Sequence, residues 1–136
     1  MKEKLIRFGD FIRRKRLADP RKLTMKDVAE HLGVTQSYVS MVENRCKRPF
    51  DGEMLEKLAD FYNLSAEDRA LMFDIASREN HEIPYDIEET LMYEDIGDLA
   101  RYAIRQSKAG FIKVEDWKTF IRQMEDKKTV NSKNSR

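Results

Sequence analysis

TMKDVAEHLGVTQSYVSMVENRCKRP, residues 24–49, is the stretch that decides the fold. Thr24 is an N-cap residue, and Asp27 stands three positions on in the reciprocal role more often taken by Glu. Val28, Ala29 and Leu32 then fall on one helical face. Gly33 stops that helix and tolerates the positive φ that a tight turn requires. Thr35 caps a second helix that begins at Gln36, with Val39 and Val42 pointing inward. Two helices joined by so short a turn must meet at a steep angle. The meeting point needs a small residue, which Ala29 supplies, and apolar flanks, which Val28, Leu32, Val34, Val39 and Val42 supply. Gln36, Ser37, Ser40 and Met41 are left on the outer face of the second helix.

The pattern outward from this unit is helical throughout, with only five glycines and three prolines in the chain. Phe8, Phe11 and Ile12 form a first stripe that ends before Asp19-Pro20. A loop over Arg45–Phe50 is closed by Pro49. Leu55, Leu58, Ala59 and Tyr62 define a fourth helix, and Ser65 with Asp68 opens a fifth through Leu71, Met72 and Ile75. Pro84 interrupts the periodicity between Asn80 and Tyr85. Three more helical stretches follow, carrying Ile87 and Leu91, then Leu99, Ala100, Ala103 and Ile104, then Trp117, Phe120, Ile121 and Met124. The chain is therefore expected to be all-α, with a five-helix domain over 1–77, a linker over 78–85 and a helical extension over 86–126. Residues 127–136 carry almost no apolar side chain and are expected to be disordered.

The 136 residues are 40% apolar and 38% charged, enough for a modest core inside a heavily solvated surface. One cysteine excludes an intrachain disulfide framework. No apolar run approaches membrane-spanning length and no signal-peptide core follows Met1–Lys4, so a cytoplasmic protein with no membrane partner is expected. The net charge of +1 conceals an asymmetry. Residues 1–50 hold 13 Lys and Arg against 6 Asp and Glu, residues 51–126 hold 9 against 19, and the last ten hold 4 against none. The basic N-terminal half attracts polyanions, and the acidic part has a different task.

Ala29 and Gly33 four apart, Thr35, the pair Val39-Ser40, Glu43-Asn44, and Pro49 closing a basic loop together resemble the lambda-repressor-like, XRE-type helix-turn-helix family. Arg13 and Arg16 late in the first helix also match, and the resemblance covers about residues 5–76. The segment Leu17–Leu23 departs from the pattern, since it contains Pro20 and lacks the glycine often found before the second helix. The resemblance implies a five-helix lambda-repressor-like domain that binds double-stranded DNA with the helix starting at Gln36. Gln36, Ser37, Ser40 and Met41 are the candidate base readers, because the first turns of such a helix reach base edges in the major groove. Met25 and Lys26 at a helix start, Thr35, Tyr38, Asn44, Arg45, Lys47 and Arg48 are the candidate phosphate contacts. The resemblance also implies a structural ion pair between Arg16 and Glu43.

Nothing else in the chain carries chemistry. His31 and His81 are isolated, Cys46 has no ligand partner at metal spacing, and no nucleophile–base arrangement is present. Glu82, Asp86, Glu88, Glu89, Glu94, Asp95 and Asp98 read as a solvated acidic face. No cofactor, no metal and no enzymatic activity are expected. The extension offers Phe111, Trp117, Phe120, Ile121 and Met124 as anchors for an oligomer or partner contact. Two functions remain open at this point. One is a homodimeric repressor on an inverted-repeat operator. The other is an antitoxin-like module that binds a protein partner through the extension and DNA only to autoregulate.

Overall fold

The computed structural model describes residues 6–134, which form α1 (Phe8–Ala18), α2 (Met25–Leu32), α3 (Gln36–Glu43), α4 (Gly52–Phe61), α5 (Ala66–Asn80), α6 (Tyr85–Tyr93), α7 (Asp95–Lys108) and α8 (Val114–Asn134). The chain divides into two compact units, with the division between Glu89 and Thr90.

In the first unit the helix starts are set locally. Thr24 and Asp27 form a reciprocal capping box, with the Thr24 N–H donating to Asp27 Oδ2 at 2.8 Å and the Asp27 N–H donating to Thr24 Oγ1 at 3.1 Å. Thr35, Asp51 and Ser65 cap α3, α4 and α5 in the same single-sided way. Gly33 ends α2 at φ 74°, where a Cβ would be strained. The start of α1 has no local cap; the Phe8 N–H donates instead to Glu79 Oε2 of α5 at 2.7 Å. These five helices enclose one core, in which Phe8, Ile12, Val28, Val39, Val42, Phe50, Leu58 and Met72 are almost fully buried. Phe50 lies in the segment read from sequence as a loop, yet its ring is the hub between Phe8 (edge-on, 5.9 Å) and Tyr38 (5.6 Å).

The segment Leu17–Leu23 closes without the missing glycine. Lys22 takes the left-handed conformation at φ 57°, and Asp19 holds Arg21 by its backbone N–H (2.9 Å), Nε (2.9 Å) and Nη2 (2.8 Å). The Arg21 guanidinium also donates to the Phe61 carbonyl and lies over the Phe61 ring. The Arg21 side chain, then its backbone N–H, holds the Asp19 carboxyl down at about 2. A carboxyl depressed in the folded state stabilises the fold above its ordinary value of 3.8, and that contribution is lost as pH falls toward 2. Asp19→Asn is therefore expected to flatten the stability profile between about pH 4 and pH 2, as measured by urea denaturation at a series of pH values. An unchanged acid limb would show that Asp19 contributes nothing there.

Two boundaries differ from the expectation drawn from sequence. Within residues 78–85, Arg78–Asn80 complete α5 and Tyr85 opens α6, so the non-helical connection is residues 81–84 alone. The Tyr85 ring stacks on Phe73 at 6.3 Å and lies so close to Gly52 that a Cβ there would enter it, which holds the first turn of α6 on the first unit. The division between the units falls inside α6 rather than before it. The tail is the second difference: α8 continues to Asn134, so residues 127–134 are helical where low apolar content pointed to disorder. Ser135 and Arg136 of that tail lie outside the described residues. A solvated helix end needs no apolar face once the preceding turns exist, and Lys127 and Lys128 are good helix formers.

The second unit is a helical hairpin. α7 and α8 are joined by a turn with Gly110 at φ 94°. Ser107 ties the turn together, donating to the Ile112 carbonyl and accepting from Trp117 Nε1, both at 2.8 Å. Among the described residues no helix is long and apolar enough to cross a membrane.

Candidate nucleic-acid interface

α3 is held by its inner face. Val39 and Val42 are buried, and Glu43 accepts from Arg16 Nε (2.8 Å) and Nη2 (2.9 Å) in a two-point ion pair. The Arg16 and Glu43 side chains are only 9% and 1% exposed. Arg16 Nη1 also donates to the Leu23 carbonyl at 3.2 Å, so one guanidinium joins α1, the end of α3 and the approach to α2. The hydrogen bond to Glu43 raises the Arg16 pKa against the opposing effect of burial. Gly9 completes the contact, since a Cβ on it would stand 2.5 Å from the Glu43 carbonyl oxygen and 2.6 Å from that of Val42.

The outer face of α3 then carries the candidate base readers. Gln36, Ser37 and Met41 are exposed. Ser40 is half-buried and accepts from Asn44 Nδ2 at 3.3 Å, so its hydroxyl already has a partner. Thr35 is committed through its side chain to the Tyr38 N–H at 3.0 Å, and the half-buried Tyr38 ring rests against Phe50. The segment after α3 is tightly wound. Arg45 sits at φ 65°, and the Cys46 and Lys47 N–H groups both return to the Met41 carbonyl at 2.7 and 3.2 Å. This winding leaves Asn44, Arg45, Lys47 and Arg48 exposed, directly after the helix.

At the start of α2 the two candidates separate. Lys26 is exposed, whereas the Met25 side chain packs against the core. What Met25 retains for an anion is its backbone N–H at the positive end of the helix. Gly9, Phe50 and the Glu79 cap were not legible as parts of this site from sequence, because each acts on residues far away in the chain. The isolated histidines have structural roles or none: His31 stacks on Phe61 at 4.2 Å, and His81 ends α5 at φ 56°.

A capped helix, a glycine turn, and a second helix with a polar outer face and a basic exit define a helix-turn-helix DNA-binding unit. Residues 12–68 match the helix-turn-helix family model. That segment is an XRE-type helix-turn-helix domain, within an all-α lambda-repressor-like fold followed by further helices. No curated protein and no solved structure matches the chain.

Proposed function

We propose that the chain is a cytoplasmic, sequence-specific transcriptional repressor that binds an inverted-repeat operator as a homodimer, each copy reading a short half-site with the first turns of α3. The observation that supports this most is the division of α3 itself. One side is fixed by buried valines and a two-point ion pair, while Gln36, Ser37 and Met41 stand free on the other. A rigid element presenting short polar side chains is what base reading needs. Arg45, Lys47, Arg48, Lys26 and the α2 backbone start are the groups suited to phosphates, and these set register without reading sequence.

The test separates reading from positioning. The Gln36 amide offers one acceptor and two donors, matching the N7 acceptor and N6 donor of adenine. With a site selected from random duplex DNA, Gln36→Ala is expected to cost roughly 1–3 kcal/mol and to relax preference at one base pair in each half-site. Arg48→Ala is expected to weaken cognate and random DNA alike and to make the log–log salt slope shallower by about one unit. The reverse pattern at equal salt, with both variants folded by circular dichroism, inverts the assignment. Affinity that is indifferent to salt removes the DNA reading altogether.

A further inference from the structure

α7 and α8 leave an apolar groove of about 620 Å³ between them, lined by Ile96, Leu99, Ala103, Ile104, Trp117 and Phe120 among others. Ile96, Leu99, Ile104 and Phe120 are each more than half exposed. Among the described residues from Thr90 onward, Gly97 is the only buried one. A hairpin that buries none of its large apolar side chains has its hydrophobic stabilisation still to gain.

We propose that a second copy of this chain covers the groove, with α7 packed antiparallel on its counterpart about a two-fold axis at Ala100. This deepens the two-copy reading above, and rests on it for the consequence on paired half-sites. The stripe on α7 is self-complementary about that residue. Ile96, Ala100 and Ile104 stand at i, i+4 and i+8, bulky at both ends and small in the middle. A two-fold operation at Ala100 brings Ile96 of each copy onto Ile104 of the other, and Ala100 and Ala103 let the backbones approach. Charge follows the same symmetry. Antiparallel packing sets the positive, N-terminal end of each α7 beside the negative, C-terminal end of the other. The area is also in range. The four exposed side chains leave on the order of 450 Å² of apolar surface, at roughly 180 Å² for a full large side chain. With Ala100, Ala103, Trp117 and a polar rim this approaches the ~800 Å² per partner of a stable interface.

Sedimentation equilibrium of the full chain without DNA is expected to show twice the 16.1 kDa chain mass. Leu99→Glu is expected to weaken self-association at least tenfold, with helix content unchanged by circular dichroism. The geometric test adds no charge to the face. In a Cys46→Ser background, which removes the exposed native thiol, Ala100→Cys places two sulfurs across the axis. Oxidised glutathione is expected to join them into a covalent dimer, whereas Arg105→Cys, on the opposite side of α7, stays unlinked. A chain that is monomeric at tens of micromolar overturns the proposal. So does a dimer in which Ala100→Cys fails to link, or a monomeric chain that purifies with a different protein in equal amount. An intact dimer with no base preference rejects the DNA reading and leaves this interface standing; a monomer that still reads a half-site does the reverse.

Discussion

Glu43→Ala is expected to cost about 3–5 kcal/mol of folding stability, because it strands the Arg16 guanidinium in a site that water hardly reaches. For a unit of this size that loss lowers Tm by roughly 4–8 °C per kcal/mol. The loss comes mainly from the charge left behind rather than from the net value of the pair. It follows that removing both partners is milder than removing one. Arg16→Met with Glu43→Leu should recover most of the stability in a thermal or urea melt, since apolar groups of similar volume carry no desolvation penalty. Arg16→Lys should fall between, because an ammonium cannot reproduce the two-point contact at 2.8 and 2.9 Å together with the bond to the Leu23 carbonyl. A single Glu43→Ala that costs under about 1 kcal/mol would place the pair among weak surface bridges and refute this account.

The same residues show which parts of the molecule could be read from sequence. Thr24, Asp27, Gly33, Thr35 and Ser65 act on atoms within a turn of themselves, so their residue types announce the helix boundaries they make. The basic exit of α3 was legible for the same reason: Arg45, Lys47 and Arg48 follow the helix in sequence and are exposed. Glu79 is different. It caps α1 from 71 residues away, and nothing in the spacing of α1 or α5 announces that bond. Tyr85 looked like the end of a linker because Pro84 breaks the period, yet its ring is stacked on Phe73 and lies against Gly52. Pro84 ends a pattern, but it says nothing of what the next aromatic packs on.

The five anchors read from the sequence of the second unit fall in different places. Trp117 and Phe120 do line the α7–α8 groove, but Phe111 stands 79% exposed in the turn, and Ile121 and Met124 lie off the groove. Spacing places Leu99, Ala100, Ala103 and Ile104 on one face of α7 and leaves open what that face meets. Periodicity identifies an apolar face; it does not say whether that face meets its own chain. The exposure of Ile96, Leu99, Ile104 and Phe120 distinguishes the two cases.

Gly9→Ala is the other change expected to act strongly, and its sign depends on a competition. Alanine favours the helical state over glycine by about 1 kcal/mol in an open helix interior. At this position the added Cβ would stand 2.5 Å from the Glu43 carbonyl oxygen and 2.6 Å from the Val42 carbonyl oxygen. Both obstacles are backbone atoms at the end of α3, so neither can turn aside as a side chain would. Phe8, Ile12 and Val42 around the contact are almost fully buried and leave no room for α1 to retreat. Overpacking of this kind costs roughly 1–3 kcal/mol, occasionally more, and here it exceeds the propensity gain. The displacement has a direction: it separates α1 from the end of α3 and stretches the neighbouring Arg16–Glu43 bonds. Gly9→Ala is therefore expected to lower stability in a thermal melt and also to weaken DNA binding at a temperature where the variant is still folded. Gly110→Ala is the contrast. A Cβ there meets nothing within 4 Å, and its only penalty is the positive φ of 94°. It should lower stability modestly through backbone strain while leaving DNA affinity per folded molecule unchanged. If Gly9→Ala instead stabilises the chain, α1 and α3 have more freedom than the two carbonyl contacts allow, and the rigid seating of the recognition helix is not what aims Gln36.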